Sequence, residues 1–165
     1  MKPPEYFNFA RDVVEPWARE RPNELALWCV GEDAHEDKFS FEQLVAAGRR
    51  AAHFFHTLGL KPGDRVLVIL PRVPQWWIGM LGLVRLGAVP IPGTPMLTTA
   101  DLRYRMEAAG VKAIITDSDG AAKVENFDGV RLLVGGQRAG WTNFDEGVRG
   151  ASPDFEPELT RSDDP

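Results

Sequence analysis

The sequence predicts an α/β fold in which helices cover both faces of an open, mostly parallel sheet, with a β-hairpin near the N-terminus. Three observations support this fold class. From residue 40 onward, short β-branched and aliphatic runs alternate with helical patterns. The stretch 63–96 has the pattern of a buried strand, an almost wholly apolar helix and a second buried strand, which together form a βαβ unit. Glycine and proline residues separate most of these segments, as turns between elements require.

The N-terminal 41 residues predict one helix and one hairpin. The helix begins after Asn8, a candidate N-cap, and Pro16 is expected to kink or end it. Two strands, over 25–30 and 38–41, flank the polar loop 31–37. That arrangement predicts a hairpin with a long polar connection.

Two longer helices have clear capping signals. The first covers 40–58 and begins with a capping box, in which the side chains of Ser40 and Gln43 each accept a hydrogen bond from the other residue's backbone. The second covers 98–109 and begins with a similar cap at Thr98. A glycine follows each helix directly and is expected to end it.

The remaining elements are short and are predicted from apolar runs with proline or glycine boundaries. They are strands over 65–70, 89–91, 111–116 and 130–134, an apolar helix between Pro74 and Gly87, and a short helix over 121–125. After residue 134 glycines become frequent, and the apolar anchors are Trp141, Phe144 and Val148. We therefore predict one α/β subdomain over 1–150 and a linker over 151–165.

Composition restricts the class of partner and the compartment. The chain has 165 residues and a net charge of −5, which argues against nucleic acid or an anionic membrane as its partner. No apolar run reaches the roughly 20 residues that a membrane helix requires. Residues 1–20 lack the pattern of a secretory signal or a transit peptide. A single cysteine excludes an internal disulfide, so a cytoplasmic location is expected.

The common nucleotide and nucleophile motifs are missing from the sequence. It contains no G-x-x-x-x-G-K-[ST] phosphate loop and no G-x-G-x-x-G, which argues against a Rossmann-type dehydrogenase. It also contains no G-x-S-x-G elbow. Gly79 and Gly82 in the apolar helix are better explained by close helix packing than by nucleotide binding.

Histidine and cysteine residues offer no complete active site. His53 and His56 are three positions apart on a helix, but a zinc site needs at least a third protein ligand, so a solvated helix face is the better explanation. His35 lies among acidic residues at the predicted hairpin tip, where charge is ordinary. Cys29 lies inside a predicted strand and is better explained as a core residue than as a nucleophile. No catalytic residue and no metal ligand is assigned.

Six phrases nevertheless occur in an order that is typical of one family. They are FNFARDVVEPWA at 7–18, P-x-x-x-A-L at 22–27, KFSFEQL at 38–44, GDRVLVILPRVPQWWIGMLGLVRLGAVPIPGTPMLT at 63–98, DLRYRMEAAGVKAIITD at 101–117 and T-x-S-D-D-P at 160–165. Together they resemble the N-terminal part of the AMP-forming acyl-CoA synthetases of the adenylate-forming superfamily, and the medium-chain type in particular. The similarity covers nearly the whole chain and is weakest between 125 and 152.

The resemblance implies a reaction in two halves. A fatty or aryl carboxylate attacks the α-phosphate of Mg·ATP, giving an acyl-adenylate and pyrophosphate, and the thiol of CoA then displaces AMP. In this family a Gly/Ser/Thr-rich loop that holds the phosphates follows soon after the phrase found at 160–165. The chain contains neither that loop nor the catalytic lysine of the C-terminal domain. It is therefore expected to bind no cofactor and to be inactive alone; the alternative is a stand-alone, non-catalytic binding or assembly module.

The resemblance also implies which residues lie near CoA. By alignment, Pro92, Gly93 and Thr94 fall where the backbone lines the CoA tunnel. Lys123 lies one residue out of register with an arginine that contacts the CoA phosphates in some relatives. In the isolated chain, the alternative for 92–94 is a turn that binds nothing. Faces that dock the rest of a full-length enzyme should be exposed, which predicts homodimerisation or marginal stability.

Overall fold

The computed structural model describes residues 4–31 and 33–164, so residue 32 of the predicted hairpin loop and residue 165 of the predicted linker lie outside the described residues. A separate antiparallel hairpin consists of β1 (Leu25–Val30) and β2 (Glu36–Ser40). A second sheet consists of β3 (Arg65–Ile69), β4 (Val89–Gly93), β5 (Ala113–Thr116), β6 (Val130–Leu133) and β7 (Thr142–Asn143). Its order is β4-β3-β5-β6-β7, and each neighbouring pair is parallel. The predicted sheet and hairpin are confirmed.

Helices cover both faces of the parallel sheet, as predicted. Near the N-terminus a π-helical stretch, Ala10–Val14, continues into α1 (Glu15–Glu20). The other helices are α2 (Phe41–Thr57), α3 (Pro74–Leu86), α4 (Thr99–Ala109), α5 (Ser118–Lys123) and α6 (Phe144–Gly150). Helix α3 connects β3 to β4 and α4 connects β4 to β5, so consecutive crossovers build the centre of the sheet.

Strand β3 is central because its alternate side chains enter two apolar clusters. Val66 and Val68 pack with buried side chains of α2, α3 and α6. Leu67 and Ile69 pack on the opposite face with Leu102 of α4. Burial of a side chain of this size contributes roughly 1.5–3 kcal/mol. Burial on both faces therefore fixes the position of β3, and with it the carboxyl edge of the sheet.

Local sequence determines where the long helices begin and end. Ser40 Oγ accepts the N–H of Gln43 at 3.3 Å, and Gln43 Oε1 accepts the N–H of Ser40 at 2.9 Å, so the predicted capping box is confirmed. The side chain of Thr98 caps α4 in the same way. Gly87 ends α3 with a φ of 81°, a left-handed conformation that favours glycine. Phe41, predicted as the end of a strand, is instead the first residue of α2.

Helices α2 and α3 pack most closely at Gly82. A Cβ added at Gly82 would lie 2.5 Å from the Cβ of Ala51 and 3.0 Å from the backbone N of Ala52. Gly79, three positions earlier, has no such neighbour closer than 3.6 Å. The helix-packing interpretation is therefore confirmed at Gly82, whereas Gly79 has room for a methyl group.

The first helical segment continues past its proline. Asn8 Oδ1 accepts the N–H of Arg11 at 3.3 Å, which confirms the predicted cap. The N–H of Glu15 donates to the carbonyl of Ala10 with π-helical spacing, and the helix then continues to residue 20. Pro16 lies in the first turn of α1, where its missing N–H costs little. The prediction that Pro16 ends the helix is therefore wrong, and its alternative, a kink at this position, stays a prediction.

Helix α5 begins earlier than predicted. It starts at Ser118 rather than at 121 because Asp117 Oδ1 accepts the N–H of Gly120 at 2.9 Å. The Asp117 cap follows β5 directly, so strand and helix are joined by a single residue. The cap at Asp117 was not predicted because the helix that follows it has only 6 residues.

Helix α6 was not predicted. Asn143 caps it by accepting the N–H of Glu146 at 2.8 Å. Phe144 and Val148 face the core and are buried, so these two predicted anchors belong to a short amphipathic helix. Gly147 has no room for a Cβ beside the ring of Phe54, which explains a glycine inside the helix.

The C-terminal segment contacts α2 through residues 151–155, and its residues 160–162 pair with residues 5–7 near the N-terminus. The ring of Phe155 stacks on His53 and His56, with centroid distances of 5.2 and 4.8 Å. His53 Nδ1 accepts the N–H of Ser152 at 3.1 Å. The two histidines therefore contact this segment, which the expectation of a solvated helix face did not anticipate. Within residues 4–31 and 33–164, no group of three or more His, Cys, Asp or Glu side chains could hold a metal ion.

A buried ion pair joins α1, α3 and the C-terminal segment. The side chains of Arg85 and Glu15 are only 3% and 7% exposed and are directly paired. Arg85 Nη2 also lies 2.8 Å from Glu156 Oε2, and Arg49 Nη2 lies 2.8 Å from Glu15 Oε2. Four charged side chains thus tie together elements that are far apart in sequence, and this network was not predicted.

Candidate functional site

A groove of about 620 Å³ lies at the carboxyl end of the parallel sheet. It is formed by β1, the residues that follow β3, the end of β4, and the first turn of α3. In the order β4-β3-β5-β6-β7, the first strand of the sheet lies between the second and the third. Ligands of open α/β sheets bind outside the carboxyl ends of the strands, where the strand order switches in this way. The groove is therefore the candidate site.

The loop after β3 gives one side of the groove a positive charge. Leu70 is buried, whereas Pro71 and Arg72 are exposed and line the groove. Helix α3 begins at Pro74, and its first turn carries no acidic residue. Arg72 forms no ion pair with any described residue. The guanidinium and the positive end of the α3 dipole together favour an anionic group here.

Three of the predicted site residues lie at the end of β4 and in the turn that follows it. Gly93 is the last residue of β4 and Thr94 follows it, and both line the groove. A Cβ at Gly93 would lie 2.9 Å from Leu97 Cδ1, so a larger residue would displace its neighbours. Thr94 Oγ1 accepts the N–H of Met96 at 3.3 Å, which holds the turn. Pro92 is exposed and belongs to β4, but it does not line the groove.

Three tryptophans form the aromatic part of the groove. Trp28 of β1 is 53% exposed and Trp77 of α3 is 47% exposed. The rings of Trp76 and Trp77 meet edge to face with their centroids 4.7 Å apart. Lys38 Nζ lies 4.4 Å from the ring centroid of Trp28 on the hairpin. Exposed aromatic faces of this kind can pack against a thin apolar chain or a planar group.

Cys29 also lines the groove but has the wrong properties for a nucleophile. It is partly buried rather than in the core, so the core interpretation is wrong. Burial raises the pKa of its thiol, with a smaller contribution in the same direction from the carboxylate of Asp37. The thiol is therefore neutral at pH 7, and a neutral thiol is a poor nucleophile.

Lys123 fixes the loop behind the groove. Its Nζ donates to the carbonyl oxygen of Pro95 at 2.6 Å and to that of Leu97 at 3.1 Å. It therefore contacts the residues directly after the predicted turn, although it does not line the groove itself. Carbonyl oxygens do not neutralise an ammonium charge, so the side chain remains a positive group beside this loop.

Replacing Lys123 with methionine is expected to loosen the turn. Without the ammonium, the carbonyls of Pro95 and Leu97 lose their charged donor, and a hydrogen bond to a charged group contributes about 1.5–3 kcal/mol when buried and less when exposed. We expect amide exchange at Met96 and Leu97 to become about tenfold faster. The matched control is Lys112→Met, because the side chain of Lys112 is exposed. Unchanged exchange in the Lys123→Met protein would contradict the role assigned to this lysine.

A larger groove, of about 830 Å³, lies between α4 and the segment that precedes β6. Its lining includes Val111 and Lys112 before β5, and Gly129 before β6. It therefore extends along the amino ends of two strands, opposite the edge where open α/β sheets bind ligands. Acidic and basic residues are mixed around it, among them Arg103, Glu107 and the predicted site residue Lys123. For these reasons the groove at the carboxyl end of the sheet is the better candidate site, although it is the smaller of the two.

The family of the chain follows from a comparison with known proteins. A family model described as AMP-binding enzyme matches residues 14–164. The chain belongs to this family. Its membership confirms the resemblance that the ordered phrases predicted.

Curated relatives identify the branch of this family that the chain resembles. Acyl-coenzyme A synthetase ACSM5, mitochondrial, of Rattus norvegicus is 43% identical over 174 residues, which cover 98% of this chain and 30% of the relative. Acyl-coenzyme A synthetase ACSM3, mitochondrial, of Homo sapiens is 38% identical over 162 residues, covering 90% of this chain and 28% of the relative. The chain thus spans less than a third of the length of these curated relatives.

Solved structures share the fold. The anthranilate CoA ligase AuaEII, in complex with anthranoyl-AMP, superposes with a TM-score of 0.88 at 21% identity, covering 99% of this chain and 32% of that one. An acyl-CoA synthetase of Brucella canis gives a TM-score of 0.88 at 24% identity, covering 99% and 31%. At identities below 25%, this structural similarity establishes that the chain shares the fold of these two proteins.

The expected cytoplasmic location is contradicted. The curated relatives are named as mitochondrial proteins, so the inference from a single cysteine and an unremarkable N-terminus was wrong. A lone cysteine reports a reducing environment and does not distinguish between reducing compartments. In the described part of the chain, no helix is both long and apolar enough to cross a membrane.

Sequence reasoning found part of the candidate site and missed part. Gly93 and Thr94 lie in the groove, and Lys123 supports the loop beside it. Trp77 and Arg72 belong to the quoted phrase PRVPQWW, yet no role was assigned to them. Trp28 had no sequence signal at all, because only the folded hairpin brings it to the end of β3.

Proposed function

We propose that the chain is the N-terminal subdomain of an enzyme that joins a fatty or aryl carboxylic acid to CoA. The complete reaction forms an acyl-adenylate and pyrophosphate from the acid and Mg·ATP, and the thiol of CoA then displaces AMP. Family membership and the similarity to acyl-coenzyme A synthetases over nearly the whole chain support this function. In this proposal residues 1–150 are the subdomain and 151–165 lead towards the phosphate-binding loop.

In this reaction, the residues of the candidate groove form part of the path for CoA. The observation that carries this proposal is the turn Gly93-Thr94, which lies in a groove at the carboxyl edge of the sheet. A backbone turn without a bulky side chain leaves room for the narrow pantetheine arm, and the rings of Trp28 and Trp77 offer apolar contact along it. Arg72 supplies a positive charge for a phosphate at the groove's rim.

Lys123 lies outside this groove and supports it in two ways. Its ammonium has three N–H donors, and two of them point to carbonyls of the loop after Thr94. The third donor and the positive charge are left for a CoA phosphate. Pro92 lies on β4 directly before Gly93 and restricts the backbone that enters the turn.

The chemistry on ATP is assigned to other parts of such an enzyme. The 165 residues contain no Gly/Ser/Thr-rich loop that could hold a triphosphate, and positioning and charge stabilisation are the catalysis in this step. We therefore propose that the chain by itself adenylates no acid. ATP and Mg²⁺ act in the complete enzyme, while this subdomain orders the route by which the thiol arrives.

A titration with CoA, followed by amide NMR of the 165-residue chain, tests the site. We expect the resonances of Gly93 and Thr94 and the indole N–H of Trp77 to shift together. Arg72→Gln should weaken binding about tenfold, the equivalent of about 1.4 kcal/mol. Arg19→Gln, an exposed change on α1, is the matched control. Shifts confined to other residues, or equal weakening by both substitutions, would contradict the site.

The exposed tryptophans favour a second candidate, a non-catalytic binding or assembly module derived from such an enzyme. The two candidates differ in the polypeptide that cells make. An antibody to this chain should detect a product of the length of the curated relatives if the first candidate holds. A stable product of 165 residues that binds CoA without any activity would favour the second.

A further inference from the structure

Helix α6 contacts the beginning of α3 through two neighbouring residues. Asp145 Oδ1 accepts a hydrogen bond from Gln75 Nε2 at 2.9 Å. Phe144 is buried beside it, and a Cβ added at Gly79 would lie 3.8 Å from the Phe144 ring. Because Gln75 and Gly79 are four positions apart, they lie on one face of α3. The first turn of α6 therefore packs against the first two turns of α3.

The carboxylate of Asp145 also binds the end of the sheet. Its Oδ2 accepts the N–H of Gly135 at 2.9 Å. Gly135 lies two positions beyond the last residue of β6, at the carboxyl end of the sheet, with a φ of 74°. Each carboxylate oxygen thus has its own partner, and hydrogen bonds to a charged acceptor are roughly twice as strong as neutral ones. Asp145 therefore joins the carboxyl end of β6 to the first turn of α3.

Helix α3 lacks the local restraint with which most of the other helices begin. Helices α2, α4, α5 and α6 each start at a residue whose side chain caps the first turn. The residue before α3 is Val73, which has no side-chain acceptor and makes no such bond. Pro74 fits the first turn but has no N–H to donate. Between Gln75 and Asp145 this turn instead has a side-chain hydrogen bond to a distant part of the chain.

The same turn carries two aromatic residues of the candidate groove. Trp76 and Trp77 follow Gln75 directly and line the groove, whereas Gln75 and Asp145 do not. The turn after β4, which also lines the groove, is fixed by the pairing of β4 with β3. The position of the first turn of α3 therefore determines how far the two tryptophan rings lie from that turn, and with it the width of the groove.

We propose that Asp145 is a positioning residue for the CoA site. It acts through Gln75, because their hydrogen bond holds the first turn of α3 and this turn holds Trp76 and Trp77 at the spacing that the pantetheine arm requires. Asp145 lies outside the groove and makes no contact with the ligand. The inference rests on the function proposed above and adds a residue that controls the affinity of the groove for CoA from behind it.

The donors and acceptors of this pair determine which substitutions break it. Gln75→Glu sets two carboxylates face to face, so the pair has no donor and the contact is lost. Asp145→Asn alone keeps the contact, because the amide of Gln75 can turn its oxygen towards the new donor. The double variant Gln75→Glu with Asp145→Asn restores a donor opposite an acceptor, and the remaining amide oxygen still accepts from Gly135. A double-mutant cycle therefore isolates this one contact.

Calorimetry with CoA and amide exchange of the 165-residue chain provide two readouts. In the Gln75→Glu protein we expect CoA to bind about tenfold more weakly. Exchange at Trp76, whose N–H donates to the carbonyl three positions earlier at 3.0 Å, should be about tenfold faster, and exchange at Leu67 of β3 unchanged. Asp145→Asn and the double variant should stay within about twofold of the unmodified chain in both readouts. Glu146→Gln, an exposed change of charge on α6, is the matched control and should behave like the unmodified chain.

Three results would overturn the proposal. The first is CoA binding by the Gln75→Glu protein as tight as by the unmodified chain. The second is a double variant as weak as Gln75→Glu, which would show that a new charge near Arg72 acts instead of the lost contact. The third is equally faster exchange at Trp76 and Leu67, which would show a general loss of stability. If the unmodified chain binds no CoA, the proposed function fails, and exchange at Trp76 alone decides whether Asp145 holds the turn.

Discussion

Replacing Arg85 with methionine is expected to lower the free energy of unfolding by about 3–5 kcal/mol. The substitution leaves Glu15 buried and takes away its directly paired guanidinium, while Arg49 compensates only in part. It also removes the pair between Arg85 and Glu156, one of the contacts of the C-terminal segment. Urea denaturation followed by tryptophan fluorescence measures the loss, and the midpoint should fall without a change in slope.

The matched control for this prediction is Arg11→Met. Arg11 pairs with Asp12, but both side chains are considerably more exposed, so its loss should cost no more than about 1 kcal/mol. The double variant Glu15→Leu with Arg85→Met should recover much of the stability, because it removes both buried charges. Equal losses for Arg85→Met and Arg11→Met would show that the buried pair does not hold α1 and α3 together.

Gly82→Ala is expected to destabilise the chain by about 1–3 kcal/mol or more. The added methyl group would lie 2.5 Å from the Cβ of Ala51 and 3.0 Å from the backbone N of Ala52, so α2 and α3 must move apart. Separation of these helices also disturbs the cluster that holds one face of β3. Thermal unfolding should show a fall in Tm of several degrees.

Gly79→Ala is the control for this second prediction and should have the opposite sign. The site is in the same helix and has no neighbour closer than 3.6 Å to the added Cβ. Alanine is a better helix former than glycine by about 1 kcal/mol, so Gly79→Ala should be neutral or stabilising. A Gly82→Ala protein as stable as Gly79→Ala would refute the close approach of the two helices.

Elements with local signals could be predicted from the sequence. Ser40 and Gln43 are three positions apart and cap a helix by contacts within one turn, and Gly87 ends α3 through its own backbone conformation. The short apolar runs of β3 and β5 predict strands that are buried on both faces, and both strands are buried in this way. Helix α5 was misplaced and α6 was missed, because caps such as Asn143 compete with turns of similar composition.

The rest depends on contacts between distant residues. Glu15 and Arg85 are 70 positions apart, and nothing local marks them as partners. The candidate groove likewise combines Trp28 of the hairpin with Trp77 of α3 and Gly93 of β4, which only the folded chain brings together. The resemblance supplied Gly93 and Thr94 because they lie within one continuous phrase. It gave no role to Trp77, although that residue lies in the same phrase, and it could not supply Trp28, whose role depends on how the hairpin docks.

The central claim is that this subdomain provides structure for thioester formation while the groups that hold triphosphate lie elsewhere. The most direct test incubates the purified 165-residue chain with Mg·ATP, CoA and a panel of fatty and aryl acids, and measures pyrophosphate and acyl-CoA over time. We expect neither product to rise above the protein-free blank. Production of both in proportion to the amount of chain would contradict the claim.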